Sequence, residues 1–417
     1  MTAPARSPSV GPPRDIALLF ATRSLRMFGY GFLAVVLVLY LDALGFSGGE
    51  VGLLLALTLL GDAAISLWLT THADRLGRRR VLVVGAGLML AAGLVFAATP
   101  VYGVLVIAAT LGVISPSGNE VGPFLAVEQA ALTQLVEPRR RTDLFARYQL
   151  AGSLATAVGS LAAGAVAQIA IGRGAEGADA YRVVIVGYAL VGIFLAALFS
   201  RVSQAVEVPS SPLTVDPTIR SRLGLHRSHG VVLRLAALFA LDAFGGGFVM
   251  QSFIAFWFSQ RFGVDPTTLG AILFGANILA GISALAAGRL AARFGLVHTM
   301  VFTHLPSNVL LALVPFMPTL PLAAAVLLVR FSISQMDVPT RQSYTMAIVE
   351  PDERSAAAGV TGIARSLGVA AAPLLAGPLF LGASLAGAPF VIGGGLKIVY
   401  DLLLYRGFRA RRPPEER

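Results

Sequence analysis

The stretch Thr70-Thr71-His72-Ala73-Asp74-Arg75-Leu76-Gly77-Arg78-Arg79-Arg80 is a short, basic connection between two apolar segments. The flanking segments, Val51 to Thr71 and Val81 to Ala98, are each long enough to cross the hydrocarbon core of a bilayer as a helix. A related stretch, GRLAARFG from Gly288 to Gly295, follows at an offset of 218 residues. A basic connection that recurs between apolar segments predicts a membrane protein built from two sequence repeats.

The repeat extends beyond this connection. At the same offset of 218 residues, LGFSGGEVGLLL from Leu44 pairs with FGVDPTTLGAIL from Phe262. At an offset of 213 residues, LVEPRRR around Glu137 pairs with IVEPDER around Glu350. The order of the paired blocks is the same in both halves, which indicates a duplicated unit.

The composition is that of a membrane protein. Of the 417 residues, 56% are hydrophobic and 13% are charged, and the mean hydropathy is +0.77. A soluble chain of this size needs more charge on its surface. The absence of cysteine excludes disulfides and cysteine-ligated metal sites. The net charge of +10 does not predict nucleic-acid binding, because the basic residues are scattered over short connections.

Apolar runs predict an all-α membrane protein with twelve transmembrane helices. In the first half they cover Ile16 to Tyr40, Val51 to Thr71, Val81 to Ala98, Val101 to Val136, Leu144 to Ile171 and Val183 to Phe199. In the second half they cover Val231 to Phe258, Thr268 to Ala287, Met300 to Met317, Leu320 to Ile348, Ala356 to Gly382 and Pro389 to Tyr405. The expected architecture is two pseudo-symmetric six-helix bundles, residues 1–201 and 231–417, joined by a linker over residues 202–230.

Arginine residues distinguish the two sides of the membrane. They occupy the N-terminal segment, the linker, the C-terminal tail and alternate connections, whereas the other connections contain only Arg173, Arg182 and Arg261. The positive-inside rule then places both termini and the linker in the cytoplasm. We therefore expect an integral multi-pass protein of a bacterial inner (plasma) membrane, in contact with membrane lipids and functional as a monomer.

The segment Ala73-Asp74-Arg75-Leu76-Gly77-Arg78-Arg79-Arg80 resembles the signature loop of the major facilitator superfamily. The resemblance covers the whole chain through the six-plus-six layout, the long linker and the weaker second copy. It implies a secondary transporter that works by alternating access, with a cytoplasmic latch that forms in the outward-facing state. The implied gating residues are Asp74, Arg75, Gly77, Arg78 and Arg141, with Arg141 as the partner of Asp74. The alternative is a basic loop that only sets the topology.

The chain departs from the family pattern at three points. Thr70 stands where the family usually has a glycine four residues before the Asp. The fourth helix lacks the arginine expected near its middle, and the fifth lacks the Gly-Pro pair typical of drug antiporters. The last two departures weaken an assignment to drug efflux without excluding it.

Ionisable residues inside predicted membrane helices indicate the site, because inserting each one costs at least about 2.5 kcal/mol without a partner or water. Helices one, four, seven and ten line the cavity in this superfamily, and all four carry such residues. They are Arg23, Arg26 and Tyr30; Asn119, Glu120 and Glu128; Asp242; and Arg330, Ser334, Asp337 and Arg341. Spacing places the three residues of the first helix on one face, and the four of the tenth helix on another.

We interpret these residues as a site for a small anionic or polar metabolite, coupled to protons. The predicted substrate-binding residues are Arg23, Arg26, Tyr30, Asn119, Arg330, Ser334, Asp337 and Arg341, and the predicted proton-coupling residues are Glu120, Asp242 and Glu128. The alternative is a set of buried interhelical ion pairs. One such pair is predicted between Glu128 and Arg341, which occupy repeat-equivalent positions.

One pair of charges has a structural explanation. Lys397 and Asp401, at i and i+4, are expected to neutralise each other.

Other functions are less well supported by the sequence. The five histidines show no metal-ligand spacing, His304 suits either a satisfied buried polar group or a proton site, and no cofactor is predicted. A channel, a receptor or a membrane-embedded enzyme fits the repeat and the motifs less well than a carrier. A proton-driven multidrug or metabolite efflux antiporter is the alternative carrier.

Overall fold

The computed structural model describes residues 13–136, 141–207, 225, 227–350, 353–382 and 385–411, and the regular elements within them are helices. The first half contains α1 (Pro13–Ala43), α2 (Gly48–Leu76), α3 (Arg78–Ala98), α4 (Tyr102–Leu111), α5 (Phe124–Leu135), α6 (Arg141–Gly172) and α7 (Asp179–Phe199). The second half contains α8 (His229–Gly247), α9 (Gln251–Phe262), α10 (Pro266–Phe294), α11 (Leu296–Leu313), α12 (Leu320–Ser334), α13 (Asp337–Ala347), α14 (Arg354–Ala371), α15 (Pro373–Leu381) and α16 (Ala388–Phe408).

Within these described ranges, 11 helical segments are long and apolar enough to cross a membrane. The protein is therefore an integral multi-pass membrane protein, and the predicted all-α class is confirmed. The fourth predicted helix is wrong as a single span, because residues 112–123 separate α4 from α5. Gly118 and Gly122 have φ angles of 69° and 81° there, and Pro116 and Pro123 flank them, so the backbone cannot continue as a helix.

Three further predicted spans are each divided into two helices. The seventh breaks between α8 and α9, directly after Gly245-Gly246-Gly247, and the tenth breaks between α12 and α13. The eleventh breaks before Pro373, where α15 begins. The breaks at residues 112–123 and 248–250 meet, because the Ser252 backbone N–H donates to the Pro116 carbonyl at 3.1 Å. A backbone N–H in the first turn of α9 is thus satisfied by a carbonyl of the other half.

The sequence repeat is visible in the caps of the helices. Ser47 caps α2, and its repeat-equivalent residue Asp265 caps α10 through the backbone N–H of Thr268. Hydrogen bonds from Thr268 also lower the pKa of the Asp265 carboxyl. Gly77 and Gly295, the other repeat-equivalent pair, have φ angles of 94° and 86° and join α2 to α3 and α10 to α11. Two equivalent connections therefore have the same turn geometry.

The two halves pack against each other through α2 with α14 and α15, and through α6 with α10. The tightest approaches lie at the far face, which we define as the face opposite the start of α1 and the end of α16. There an ideal Cβ on Gly48 would lie 2.5 Å from the Gly377 carbonyl oxygen, and one on Gly164 would lie 2.2 Å from that of Pro266. Small residues allow this approach of helix backbones.

A β-branched residue at Gly164 is expected to separate the halves at the far face. Gly164→Val places side-chain carbons where the Pro266 carbonyl now lies, so α6 and α10 must move apart. The chain has no cysteine, so spin labels can be attached to Arg173→Cys and Arg261→Cys, both exposed at this face. We expect a longer label-to-label distance in Gly164→Val.

Gly172→Val is the matched control for this change. It lies at the end of the same helix, and a Cβ there would meet nothing within 4 Å. An unchanged distance in Gly164→Val, equal to that in the control, would show that the contact does not set the separation.

Candidate functional site

Two arginines and two glutamates form a buried group in the first half, the first ion group: Arg23, Arg26, Glu120 and Glu128. Arg23 Nη1 lies 2.6 Å from Glu120 Oε2, and Arg26 Nε lies 2.8 Å from Glu120 Oε1. Arg26 also donates to both oxygens of Glu128, at 2.9 and 2.7 Å. This two-point contact between a guanidinium and a carboxylate is the strongest geometry for such a pair. The carboxylate partners of Arg23 and Arg26 are therefore Glu120 and Glu128, both from the fourth predicted span.

Neutral groups complete the first ion group. Thr22 donates to Glu128 Oε1 at 2.9 Å, and the Tyr148 hydroxyl donates to Glu128 Oε2. Arg23 donates to the Tyr148 carbonyl at 2.9 Å and to Gln149 Oε1 at 2.8 Å. The four ionised side chains sum to zero charge, and three of them are essentially inaccessible to solvent. A neutral, hydrogen-bonded group of this kind holds α1, α5 and α6 together.

A second group, the second ion group, joins four helices around one carboxylate: Asp242, Asp337, Arg341, Arg365 and Lys397. Asp242 Oδ1 accepts from Lys397 Nζ at 2.6 Å, and Asp242 Oδ2 accepts from Arg341 and Arg365 at 3.0 and 3.1 Å. Arg341 Nη1 also lies 2.9 Å from Asp337 Oδ2. Asp242 of α8 is thus the common counter-ion of α13, α14 and α16.

Three polar side chains lie beside the second ion group. His304 Nδ1 is 2.9 Å from Asp401 Oδ1, and Asn308 donates to Asp401 Oδ2 at 2.9 Å. His304 Nε2 faces Asp242 Oδ1 at 3.8 Å. His304 and Asn308 lie one turn apart on α11, and Asp401 reaches them from α16. These contacts connect the histidine to both carboxylates.

Arg330 and Ser334 each have a buried polar atom without a hydrogen-bond partner among the described residues, as do Ser307 and Asn308 of α11. Arg330 is 92% buried, and its Nε has no hydrogen-bond partner among the described residues. Its guanidinium carbon lies 4.6 Å from the centroid of the Phe331 ring. Ser334 Oγ, one turn along α12, is also buried without a partner in the described part of the chain. A buried cation and a buried hydroxyl on one face are available to an additional ligand.

Two predicted pairings are wrong. Glu128 contacts Arg26 and not Arg341, because each half builds its own ion group instead of sharing one across the repeat axis. Lys397 contacts Asp242 and not Asp401, since the lysine points toward α8 while Asp401 accepts from α11. Arg365 was missed as a site residue, although a lone arginine within the apolar run from Ala356 to Gly382 is a signal of the same kind.

Of the two remaining predicted substrate-binding residues, Tyr30 contacts the helix break of the first half from α1, and Asn119 lies within that break. Tyr30 is buried, and its hydroxyl donates to the Val121 carbonyl at 3.0 Å. Asn119 is exposed within the break, and its carbonyl accepts from Ser115 Oγ at 2.7 Å. Asp62 of α2 holds the same break by accepting from the Gly122 N–H at 2.6 Å. The break is therefore an ordered segment with one exposed polar side chain.

The predicted gating loop is bound to the start of the predicted linker and to α5. Glu207 accepts from the backbone N–H groups of Arg78 and Arg79, at 2.7 and 3.1 Å, at the N-terminus of α3. The Arg78 guanidinium donates to Gln134 Oε1 at 3.0 Å, and Arg75 is exposed. The predicted pair of Asp74 and Arg141 lies outside the described side chains.

Comparison with known proteins identifies relatives along the whole chain. The sequence profile of the Major Facilitator Superfamily matches residues 19–373 and 235–417. The uncharacterized membrane protein YJR124C of Saccharomyces cerevisiae is 30% identical over 418 residues, covering 94% of this chain and 93% of that protein. The quinolone resistance protein NorA of Staphylococcus aureus is 31% identical over 99 residues, covering 24% of this chain and 26% of NorA. A variant of the nucleoside transporter NupG has the same fold, with a TM-score of 0.74 at 13% identity over 94% of this chain and all of that one.

Proposed function

The chain belongs to the major facilitator superfamily of membrane transporters, and we propose that it carries a small anionic or polar metabolite by alternating access, coupled to protons. The observation that carries the proposal is Arg330, a buried cation whose Nε has no partner among the described residues. Arg23 and Arg26 are less suited to a solute, because Glu120 and Glu128 already neutralise them.

The charge balance of the second ion group and its buried neighbours supports an anionic solute. Arg330, Arg341, Arg365 and Lys397 face three carboxylates, those of Asp242, Asp337 and Asp401. One positive charge is left over when His304 is neutral, and a bound anion would compensate it. Arg365 is the most accessible of these cations, with 36% of its side chain exposed.

The proposed solute site therefore centres on Arg330, Ser334 and Arg365, with Arg341 and Asp337 as its support. Asn119, the exposed polar residue of the break in the first half, is the proposed contact from the opposite side. Tyr30 supports that break from α1. A site made by both halves would change shape when the halves rock against each other, as alternating access requires.

The proposed topology has twelve spans, with both termini cytoplasmic and each half forming one bundle. The pair α4 and α5 then makes the fourth span in two parts. The far face, where glycines bring the halves together, is on the outside, so the arrangement is inward-facing. The basic loop around Arg75, Gly77 and Arg78, with Asp74 and Arg141, is the proposed cytoplasmic latch of the outward-facing state. We place the protein in a bacterial inner membrane as a monomer.

Replacing Arg330 should weaken anion binding without loss of the fold. Arg330→Gln leaves no orphaned carboxylate, because none is bonded to it among the described residues. We expect the purified protein to gain thermal stability with one or more of chloride, phosphate, succinate or benzoate, since a ligand bound only by the native state raises its stability. Loss of a hydrogen bond to a charged group weakens binding by roughly 10- to 100-fold, so Arg330→Gln should need that much more anion.

Arg293→Gln is the matched control, because Arg293 is an exposed arginine of α10 that lies over the Phe294 ring. The same anion response in wild type, control and Arg330→Gln would exclude Arg330 as the solute contact. No response to any anion would argue against the proposed solute class.

A proton-driven efflux antiporter for drugs is the second candidate. The partial match to the quinolone resistance protein NorA favours it. In that case ethidium and other hydrophobic cations should stabilise the protein, and their effect should persist in Arg330→Gln. The same panel of ligands thus separates the two candidates.

A further inference from the structure

His304 is a buried histidine whose two ring nitrogens both face carboxylates. Only 4% of the residue is exposed, so water does not stabilise either protonation state by itself. Nδ1 lies 2.9 Å from Asp401 Oδ1 and 3.1 Å from Asn308 Nδ2. The carboxylate is the nearer neighbour, is charged and can only accept, so we assign a hydrogen to Nδ1. Asn308 donates to the second oxygen of Asp401 and thereby fixes that carboxylate in place. Asp401 and Asn308 therefore set the tautomer of the imidazole.

The other ring nitrogen, Nε2, is then the atom with a vacant lone pair. It faces Asp242 Oδ1 at 3.8 Å. In the neutral ring a lone pair points at a carboxylate, which is unfavourable. In the protonated ring an N–H points at the same carboxylate and needs to move by less than about 1 Å to form a hydrogen bond.

We propose that His304 Nε2 is the atom that binds and releases the coupling proton, instead of Asp242, Glu120 or Glu128. This inference rests on the proposed proton-coupled function and identifies its proton site. Asp242 is a poor alternative, because three cations already contact it and each opposes its protonation. Glu128 accepts hydrogen bonds from Arg26, Thr22 and Tyr148, which leaves its ionised form fully satisfied.

The charged side chains around His304 favour or oppose protonation of its ring. The negative groups are Asp242 of α8, Asp337 of α13 and Asp401 of α16; the positive groups are Arg330 of α12, Arg341 of α13, Arg365 of α14 and Lys397 of α16. The Tyr400 ring packs edge-on at 5.9 Å. Asp401 lies at hydrogen-bond distance from Nδ1, and Asp242 Oδ1 faces Nε2 at 3.8 Å. Lys397 opposes the imidazolium, but it is bonded to Asp242 Oδ1 and not to the ring, so the nearest charges favour the imidazolium.

The shared carboxylate links the proton to the solute. When Nε2 is protonated, Asp242 gains a fourth cationic neighbour, and its hold on Arg365, the most exposed of them, weakens. Arg365 then turns to a solute anion. The anion in turn adds the negative charge that favours the imidazolium, because coupling between two binding sites is reciprocal. Proton and anion are therefore expected to bind together.

Nuclear magnetic resonance of the histidine ring tests the assignment directly. His72, His226, His229 and His298 are replaced by glutamine, so that His304 gives the only histidine signal of the ¹⁵N-histidine-labelled protein. We expect the ring to change from the neutral Nδ1–H tautomer to the imidazolium as the pH falls from about 8 to about 5. A ring that keeps one protonation state over this range would overturn the proposal.

Two further variants separate a proton site from a merely structural histidine. In Asp401→Asn the ring should bind its proton only at lower pH, because a carboxylate partner is lost. In the control Asp179→Asn, which alters an exposed ion pair with Arg182, the titration should not move. If the quadruple variant does not fold, the wild type compared with His298→Gln and His304→Gln identifies the same signal by subtraction.

The two proposals can fail separately. A titrating His304 in a protein that no anion stabilises would remove the solute class and leave the proton site. An anion response abolished in Arg330→Gln, together with a His304 ring that never titrates, would leave the solute site and remove the proton assignment.

Discussion

Replacing Asp242 with asparagine is expected to lower the stability of the protein by about 3–5 kcal/mol, the usual loss when one member of a buried ion pair is removed. The change leaves Lys397, Arg341 and Arg365 around a neutral amide. Arg341 retains Asp337, but Lys397 has no other ion pair among the described residues. Thermal unfolding in detergent, together with the fraction that elutes as a single species in size-exclusion chromatography, measures this loss.

A compensating variant shows whether the loss of stability comes from unbalanced charge or from the changed shape of the side chain. Asp242→Asn combined with Lys397→Leu removes one charge of each sign, so it should be more stable than Asp242→Asn alone. Phosphate should also stabilise Asp242→Asn more than the wild type, since the excess positive charge attracts it.

Asp179→Asn is the control for this prediction. It alters an exposed ion pair and should change the stability by no more than about 1 kcal/mol. If Asp242→Asn and Asp179→Asn lowered the stability by equally small amounts, Asp242 would not be the common counter-ion of these helices.

Replacing Arg26 with methionine should produce a loss of similar size, again about 3–5 kcal/mol. Arg26 is fully buried, and its guanidinium makes three hydrogen bonds to Glu120 and Glu128. Without it, the donors that Glu128 keeps among the described residues are the hydroxyls of Thr22 and Tyr148, so Glu128 must be buried as an anion or take up a proton. The thermal stability of Arg26→Met should therefore fall less at acidic than at neutral pH.

A double-mutant cycle isolates the pair of Arg26 and Glu128. Arg26→Met and Glu128→Met each leave one unpaired charge, whereas the double variant leaves none, so the losses should be far from additive. Arg182→Met at the exposed pair controls for loss of an arginine side chain. Additive losses would mean that the two residues do not stabilise each other.

The membrane class and the repeat could be predicted from the sequence for a physical reason. Lipid requires long apolar runs, and these are visible in composition alone. The caps at Ser47 and Asp265 and the turns at Gly77 and Gly295 depend on neighbours within about four residues along the chain. The paired stretches that indicated the repeat therefore also have equivalent local geometry. The helix break at residues 112–123 could also have been predicted from local sequence, because proline and glycine residues interrupt helices. The residues concerned are Pro116, Gly118, Gly122 and Pro123.

The polar residues of the site were also predictable, because charge within an apolar run is expensive and therefore informative. The spacing of Arg23 and Arg26 on α1 and of Arg330, Ser334 and Arg341 along α12 and α13 identified polar faces. The spacing of these residues along the sequence did not show which of them form ion pairs. Arg26 and Glu128 are 102 residues apart, and Lys397 and Asp242 are 155 residues apart.

By itself, the sequence determined that this protein is a helical membrane protein with an internal repeat and with costly charges on particular helix faces. Only the tertiary structure decided that Arg23 and Arg26 are neutralised within the first half, and that Asp242 joins α8 to α13, α14 and α16. It also decided that Arg330 Nε has no hydrogen-bond partner in the described part of the chain. The reason is that periodicity fixes the polar face of each helix, whereas the rotation and depth of that helix against its neighbours are set by packing over the whole bundle.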